Sequence, residues 1–183
     1  DHSAVGLYIG KFVEQEINSS VVQLMRYYCG IEMPEYYCKR YPKYYSGADV
    51  SVGNRTVRLN EHKDPHSKDE ALKTVALGDA FFALKALKEE DNEGFFDKYR
   101  WLSDKVFLEA WRNLYQFRNM MAHTGEIINE ETLAKNDEYF HRFLRFMPNI
   151  LELKKELAPE DYVETLLTSA PKEEPRDYWV STV

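Results

Sequence analysis

The chain lacks any long apolar run. No stretch of about 18 consecutive apolar residues occurs, so no membrane-spanning helix is expected. It has only two cysteines, Cys29 and Cys38, too few for a disulfide framework or a four-ligand zinc site. Basic residues are not in excess either. The formal net charge is −7, which argues against a broad electrostatic grip on nucleic acid but not against a small positive site. A reducing cytoplasm is the expected compartment.

Several catalytic signatures are missing as well. The sequence has no Gly-rich phosphate loop, nucleophile elbow or paired-carboxylate motif. His62 and His66 superficially resemble metal-ligand spacing, but Pro65 breaks the helix that would align them. We therefore expect a solvated loop there, and we predict neither a metal nor a cofactor. The chain begins at Asp1 without an initiator methionine, and we interpret this as excision from a longer protein.

What the sequence does have favours a folded domain. Aromatic residues make up 14% of its 183 residues, which is typical of a packed globular protein. We expect one helical domain over residues 1–158. An acidic, proline-containing tail follows over residues 159–183, whose six acidic and two basic residues account for four of the seven net negative charges. The body of the protein is therefore only mildly acidic.

Hydrophobic periodicity predicts an all-α fold. Apolar residues at three- and four-residue steps predict a first long helix over residues 3–30, ended by Gly30. Ser67 and Glu70 form a capping box that opens a second helix to about residue 90. A short helical piece is expected over residues 95–102.

Two more helices complete the predicted bundle. Ser103 is expected to cap a third long helix that runs to about His123. Asn129 starts a fourth, running to about Leu157, which Pro148 should kink or split in two. These elements predict a four-to-five-helix up-and-down bundle.

An irregular insert is predicted between the first and second helices, over residues 31–66. Within it, alternating residues on both sides of Gly53-Asn54 indicate a short β-hairpin over residues 50–59. The expected architecture is thus a helical bundle with an inserted loop or short hairpin.

The strongest chemical signal is the sequence Arg118-Asn119-Met120-Met121-Ala122-His123 at the end of the third helix. On a helical wheel Arg118 borders the apolar stripe, while Asn119 and His123 lie beyond it. A cationic histidine in the last turn beside an arginine favours an anion such as phosphate. A histidine at a helix end is also an ordinary capping residue, so a structural interpretation stays open.

This motif resembles that of the HEPN superfamily: an Arg, a polar residue, a few variable residues, then His. The position at a helix end, before a turn and a long final helix, is also similar, and the resemblance spans about residues 68–157. It implies a HEPN-like bundle that forms a homodimer, in which two motifs build one composite active site. The tyrosine that follows the histidine in toxin–antitoxin members is replaced here by Thr124-Gly125-Glu126, so that mode of regulation is not implied.

The resemblance also implies a function. Many such proteins are metal-independent RNA endonucleases that act through the 2′-hydroxyl and leave a 2′,3′-cyclic phosphate. Transferred to this chain, His123 would transfer protons, Arg118 would hold the scissile phosphate, and Asn119 would orient the phosphate or His123. The module would be the effector of a larger defence or stress protein. Some HEPN proteins do not cleave, so a dimerisation or nucleotide- or RNA-binding module is the alternative.

Outside the motif, a tyrosine-rich segment is the best candidate for RNA contact. Seven tyrosines lie within residues 27–45, interleaved with basic residues. Aromatic rings beside cations can stack on bases and hold phosphates. The candidate RNA-binding residues are Tyr36, Tyr37, Lys39, Arg40 and Lys43. The alternative is a loop packed over the end of the bundle. On the last helix, His141 is interpreted as structural, and Arg142 as either flanking the cleft or solvated.

Overall fold

The computed structural model describes residues 2–31, 48–61, 73–123 and 129–157, with only the backbone of residues 2–5 and 123. These residues are mostly helical, which confirms the all-α class. Among them no helix is long and apolar enough to cross a membrane. The elements are α1 (His2–Asn18), α2 (Val21–Tyr28), β1 (Asp49–Val52), β2 (Arg55–Arg58), α3 (Leu77–Glu90), a 3₁₀ helix (Phe95–Ser103), α4 (Lys105–His123), α5 (Glu130–Leu144) and α6 (Met147–Leu157).

The first helix is interrupted, so the prediction of one helix over residues 3–30 is wrong. The break falls at Ser19 and Ser20, between α1 and α2. Both hydroxyls donate to the carbonyl of Glu16, at 3.2 Å and 2.6 Å. Serine hydroxyls that bond to the preceding turn compete with the helical ladder and weaken it. Gly30, with φ +82°, follows the end of α2 as predicted.

A buried polar network fixes the start of α3. The amide of Asn18 donates to the carbonyl of Val75 at 2.9 Å and accepts from the nitrogen of Val75 at 2.8 Å. This pairing holds residues 73–76 outside any helix, and α3 begins only at Leu77. The prediction that the second helix already includes residues 73–76 is therefore wrong. Its capping box, Ser67 with Glu70, lies outside the described residues.

The predicted hairpin is confirmed. Strands β1 and β2 pair antiparallel, with Val52 opposite Arg55 across the Gly53-Asn54 turn. Gly53 has φ +62°, a conformation that glycine adopts without strain. Val50 and Val57 face each other and are buried against the helices. The hairpin is thus part of the core.

The ends of the last helices follow the sequence with one exception. Asp104, rather than the predicted Ser103, caps α4 by accepting from the nitrogen of Val106 at 2.7 Å. Asn129 caps α5 as predicted, accepting from the nitrogen of Thr132 at 2.8 Å. The predicted fourth helix is divided into α5 and α6 by a turn that precedes Pro148, which confirms the predicted split. The tail after Leu157 lies outside the described residues.

Helix α4 lies at the centre of the bundle, between α1, α3 and α5. The fully buried indole of Trp111 donates to the carbonyl of Leu77 at 3.1 Å and meets Phe81 edge to face. Of the predicted apolar stripe, Phe107, Trp111, Leu114 and Phe117 are buried, whereas Met121 is only partly buried.

Helix α1 crosses α4 at two glycines. A Cβ atom on Gly6 would lie 2.7 Å from Cε1 of Phe117, and a Cβ atom on Gly10 would lie 2.8 Å from Cγ of Arg118. Both distances are shorter than real carbon contacts. The absence of side chains at these two positions therefore sets the distance between the helices, because interiors are close-packed.

We predict that Gly10→Ala destabilises the protein by about 1–3 kcal/mol, since the new methyl group overlaps the stem of Arg118. Within a helix, glycine to alanine ordinarily stabilises by about 0.5–1 kcal/mol, so the sign of the effect is diagnostic. Equilibrium urea unfolding measures it. Gln15→Ala, exposed on the same helix, is the matched control and should stay within about 0.5 kcal/mol of the parent. A Gly10→Ala variant as stable as the parent would contradict the close crossing.

Candidate functional site

The motif lies on the last two turns of α4, whose backbone is continuous through His123. Arg118 is half-buried at the edge of the apolar stripe, and Asn119 is exposed beyond it. Both positions agree with the helical wheel. The helix thus presents these two residues on different sides, with Arg118 toward α1 and Asn119 toward solvent.

Arg118 forms an ion pair with Glu14 of α1. Its Nη2 atom lies 3.1 Å from Oε2 of Glu14, and the two side chains are 35% and 18% exposed. Gly10 lies one turn before Glu14 on the same row of α1, beside the stem of Arg118. The glycine therefore makes room for the arginine stem, and the glutamate fixes its charged end.

The contact is a charge pair rather than an aligned hydrogen bond. The Oε2 atom of Glu14 is buried and receives no directed hydrogen bond from the described residues. A half-buried pair of this kind is screened less by salt than one on the surface. A carboxylate of the same chain therefore already faces Arg118.

His123 is placed only through its backbone, as the last residue of α4. Its side chain lies outside the described residues, so the prediction that it joins Arg118 and Asn119 in one site stays a prediction. The candidate RNA-binding residues Tyr36, Tyr37, Lys39, Arg40 and Lys43 also lie outside the described part of the chain, as does the segment from His62 to His66.

Helix α5 brings neither His141 nor Arg142 to the motif. His141 is exposed and contacts its own helix, with Nδ1 2.9 Å from the carbonyl of Asp137. Arg142 pairs with Glu138 and lies 3.5 Å from Glu109 on α4. Glu109 precedes Arg118 by about 13 Å along the helix axis. Arg142 is thus held beside the second turn of α4 and does not flank the motif.

Cys29 is not an activated nucleophile. Burial, assisted by the negative charge of Glu90, raises the pKa of its thiol to about 11. The thiolate is the reactive form of cysteine, so this side chain is protonated and unreactive near neutral pH. Among the described residues no group of three His, Cys, Asp or Glu side chains is arranged to hold a metal ion.

Two parts of this site were missed from the sequence. They are the glycine pair Gly6 and Gly10, and the acid Glu14, which follow each other at four-residue steps on one row of α1. Small residues at this spacing inside an apolar helix indicate a close helix crossing, and an acid on the same row indicates a cation on the facing helix. This signal was available, although it does not name the facing helix.

Known proteins add no further constraint on the site. In comparisons with protein families, with curated proteins and with solved structures, nothing matches this chain.

We predict that Glu14 and Arg118 stabilise each other by about 1 kcal/mol, more than an exposed pair, because both side chains are partly buried. A double-mutant cycle with Glu14→Gln, Arg118→Met and the combined variant measures this coupling by urea unfolding. The control cycle uses Lys85 and Glu89, an exposed pair at 3.9 Å on α3, whose coupling should not exceed about 0.5 kcal/mol. Equal coupling in the two cycles would refute the role assigned to Glu14.

Proposed function

We propose that this chain is a HEPN-type RNA endonuclease module that works without a metal ion. The observation that carries the proposal is the position of Arg118 at the end of α4, with its stem fixed by α1 and about a third of its side chain open to solvent. A guanidinium has five N–H donors, and the contact with Glu14 is made through Nη2. The proposal assigns the remaining donors to a phosphate.

The proposed reaction needs only side-chain chemistry. The 2′-hydroxyl of the RNA attacks the adjacent phosphorus, the bond from phosphorus to the 5′-oxygen breaks, and a 2′,3′-cyclic phosphate and a 5′-hydroxyl remain. His123 transfers the proton, Arg118 binds the phosphate oxygens, and Asn119 orients the phosphate or His123. A second copy of the chain supplies the other motif of a composite site, as a two-fold symmetric dimer would. The cytoplasmic effector of a defence or stress protein is the setting we propose.

A second candidate is a HEPN-like dimerisation or nucleotide- or RNA-binding module without cleavage. The ion pair between Arg118 and Glu14 favours it, since the arginine charge is already compensated within the chain. The net charge of −7 points the same way. In this case Arg118 acts mainly in the crossing of α1 and α4.

We predict that the full chain cleaves single-stranded RNA in the presence of EDTA and that His123→Ala lowers the rate at least about 100-fold, since proton transfer contributes about 10²–10⁴-fold. Gel analysis of end-labelled RNA measures the rate, and sensitivity of the new 3′ ends to acid identifies the cyclic phosphate. His141→Ala, an exposed histidine bonded to its own helix, is the matched control and should cleave at the parental rate.

The arginine is tested in the same assay. Arg118→Lys keeps the charge opposite Glu14 but loses the planar fork, so the protein should stay folded and cleave at least about tenfold more slowly. Arg100→Lys, exposed on the 3₁₀ helix, is the control. Cleavage that EDTA abolishes, or that survives in His123→Ala, excludes the proposed metal-independent mechanism with His123. RNA binding without any product supports the second candidate.

A further inference from the structure

A groove runs along the outer side of the contact between α4 and α5. Its volume is about 290 Å³, and it opens to solvent. The α4 wall reaches Met120, about 4.5 Å of helix rise before the backbone of His123. The groove therefore lies next to the motif. Its lining includes Asn113, Gln116, Phe117, Lys135, Asn136 and Tyr139.

Asn136 is the unusual residue of this groove. It is 3% exposed, and neither its Oδ1 nor its Nδ2 atom has a hydrogen bond from the described residues. A buried polar group without a partner costs about 1–3 kcal/mol, and natural proteins rarely keep one without a reason. An apolar residue in this position between two helices would avoid that cost. The retained amide points to a ligand that supplies the missing donor and acceptor.

The other walls specify the kind of ligand. Asn113 donates to the carbonyl of Glu109 at 2.8 Å, which leaves its amide oxygen for another donor, and Gln116 is exposed. Tyr139 and Phe117 add aromatic surface. A flat heterocycle with donors and acceptors along its edge matches both properties. Asparagine and glutamine pair with the edges of bases, and aromatic rings stack on their faces.

We propose that the groove between α4 and α5 is a nucleobase-binding site, with Asn136 as its hydrogen-bonding amide. This inference builds on the proposed function, because a base held here belongs to the RNA whose phosphate meets Arg118. The groove then selects where the strand is cut.

Binding of short oligonucleotides tests the site separately from cleavage. Fluorescence anisotropy compares a labelled 2′-O-methyl pentanucleotide, which cannot undergo attack by its 2′-oxygen, with a strand of equal length that carries one abasic position. We expect the complete strand to bind the full chain about tenfold more tightly than the abasic strand at the best position, the scale of one good bidentate contact. A nucleoside monophosphate used as competitor tells whether a single nucleotide suffices or the strand is required.

Asn136→Leu should remove this difference by weakening the complete strand about tenfold and leaving the abasic strand unchanged. It should also keep or raise the melting temperature, because two unpaired polar atoms are removed. Gln116→Ala, an exposed change on α4, covers the case in which the leucine variant misfolds and should weaken the complete strand several-fold. Asn149→Leu, on α6, is the matched control and should bind like the parent.

The site is refuted if complete and abasic strands bind equally, or if both groove variants bind like the parent. If the nuclease assay fails while base-dependent binding persists and depends on Asn136, the nuclease proposal falls and the groove remains. If RNA is cleaved but the groove variants change neither binding nor cleavage, the nucleobase site is refuted and the nuclease proposal remains.

Discussion

The close crossing of α1 and α4 is the constraint on which the candidate site depends. Two glycines let the helices approach until the ring of Phe117 and the stem of Arg118 fill the space that side chains would occupy. Glu14 reaches the guanidinium only because the helices are this close. Phe117, whose ring packs at Gly6, also lines the groove between α4 and α5. The crossing of α1 and α4 thus borders both proposed contacts with RNA.

The carboxylate opposite Arg118 has two opposing effects on an incoming phosphate. It orders the guanidinium, so less side-chain entropy is lost when a ligand binds. It also offsets part of the attraction, because a phosphate must share the arginine with an existing negative charge. The proposed catalytic function relies on the first effect, and the proposed binding module follows from the second. The net charge of −7 favours a local, ordered site over a broad basic surface.

Features set by neighbouring residues were predictable from the sequence. The hairpin around Gly53-Asn54, the cap at Asn129 and the break near Pro148 each depend on a few adjacent residues, and each is confirmed. The half-buried position of Arg118 followed from helical periodicity alone. The chemistry of the motif rests on a resemblance, and the unplaced side chain of His123 leaves it a prediction.

Features set by distant residues were not predictable in this way. The late start of α3 depends on Asn18, which is 57 residues away from Val75 in the chain. The partner of Arg118 comes from the first helix, and no local pattern in α4 indicates it. The apolar pattern continues across Ser19 and Ser20, so helical periodicity does not indicate the break there. The break comes from the serine hydroxyls, which bond to the backbone of the preceding turn.

The first helix also meets the last, through a salt bridge of 2.6 Å between Glu16 and Lys154, 138 residues apart. Its described partners on α4 and α6 leave the ribosome long after α1 itself. During synthesis at about 5–20 residues per second, α1 therefore spends several seconds or more without them. The helix that organises the finished protein therefore completes its packing only after α4 and α6 have been synthesised.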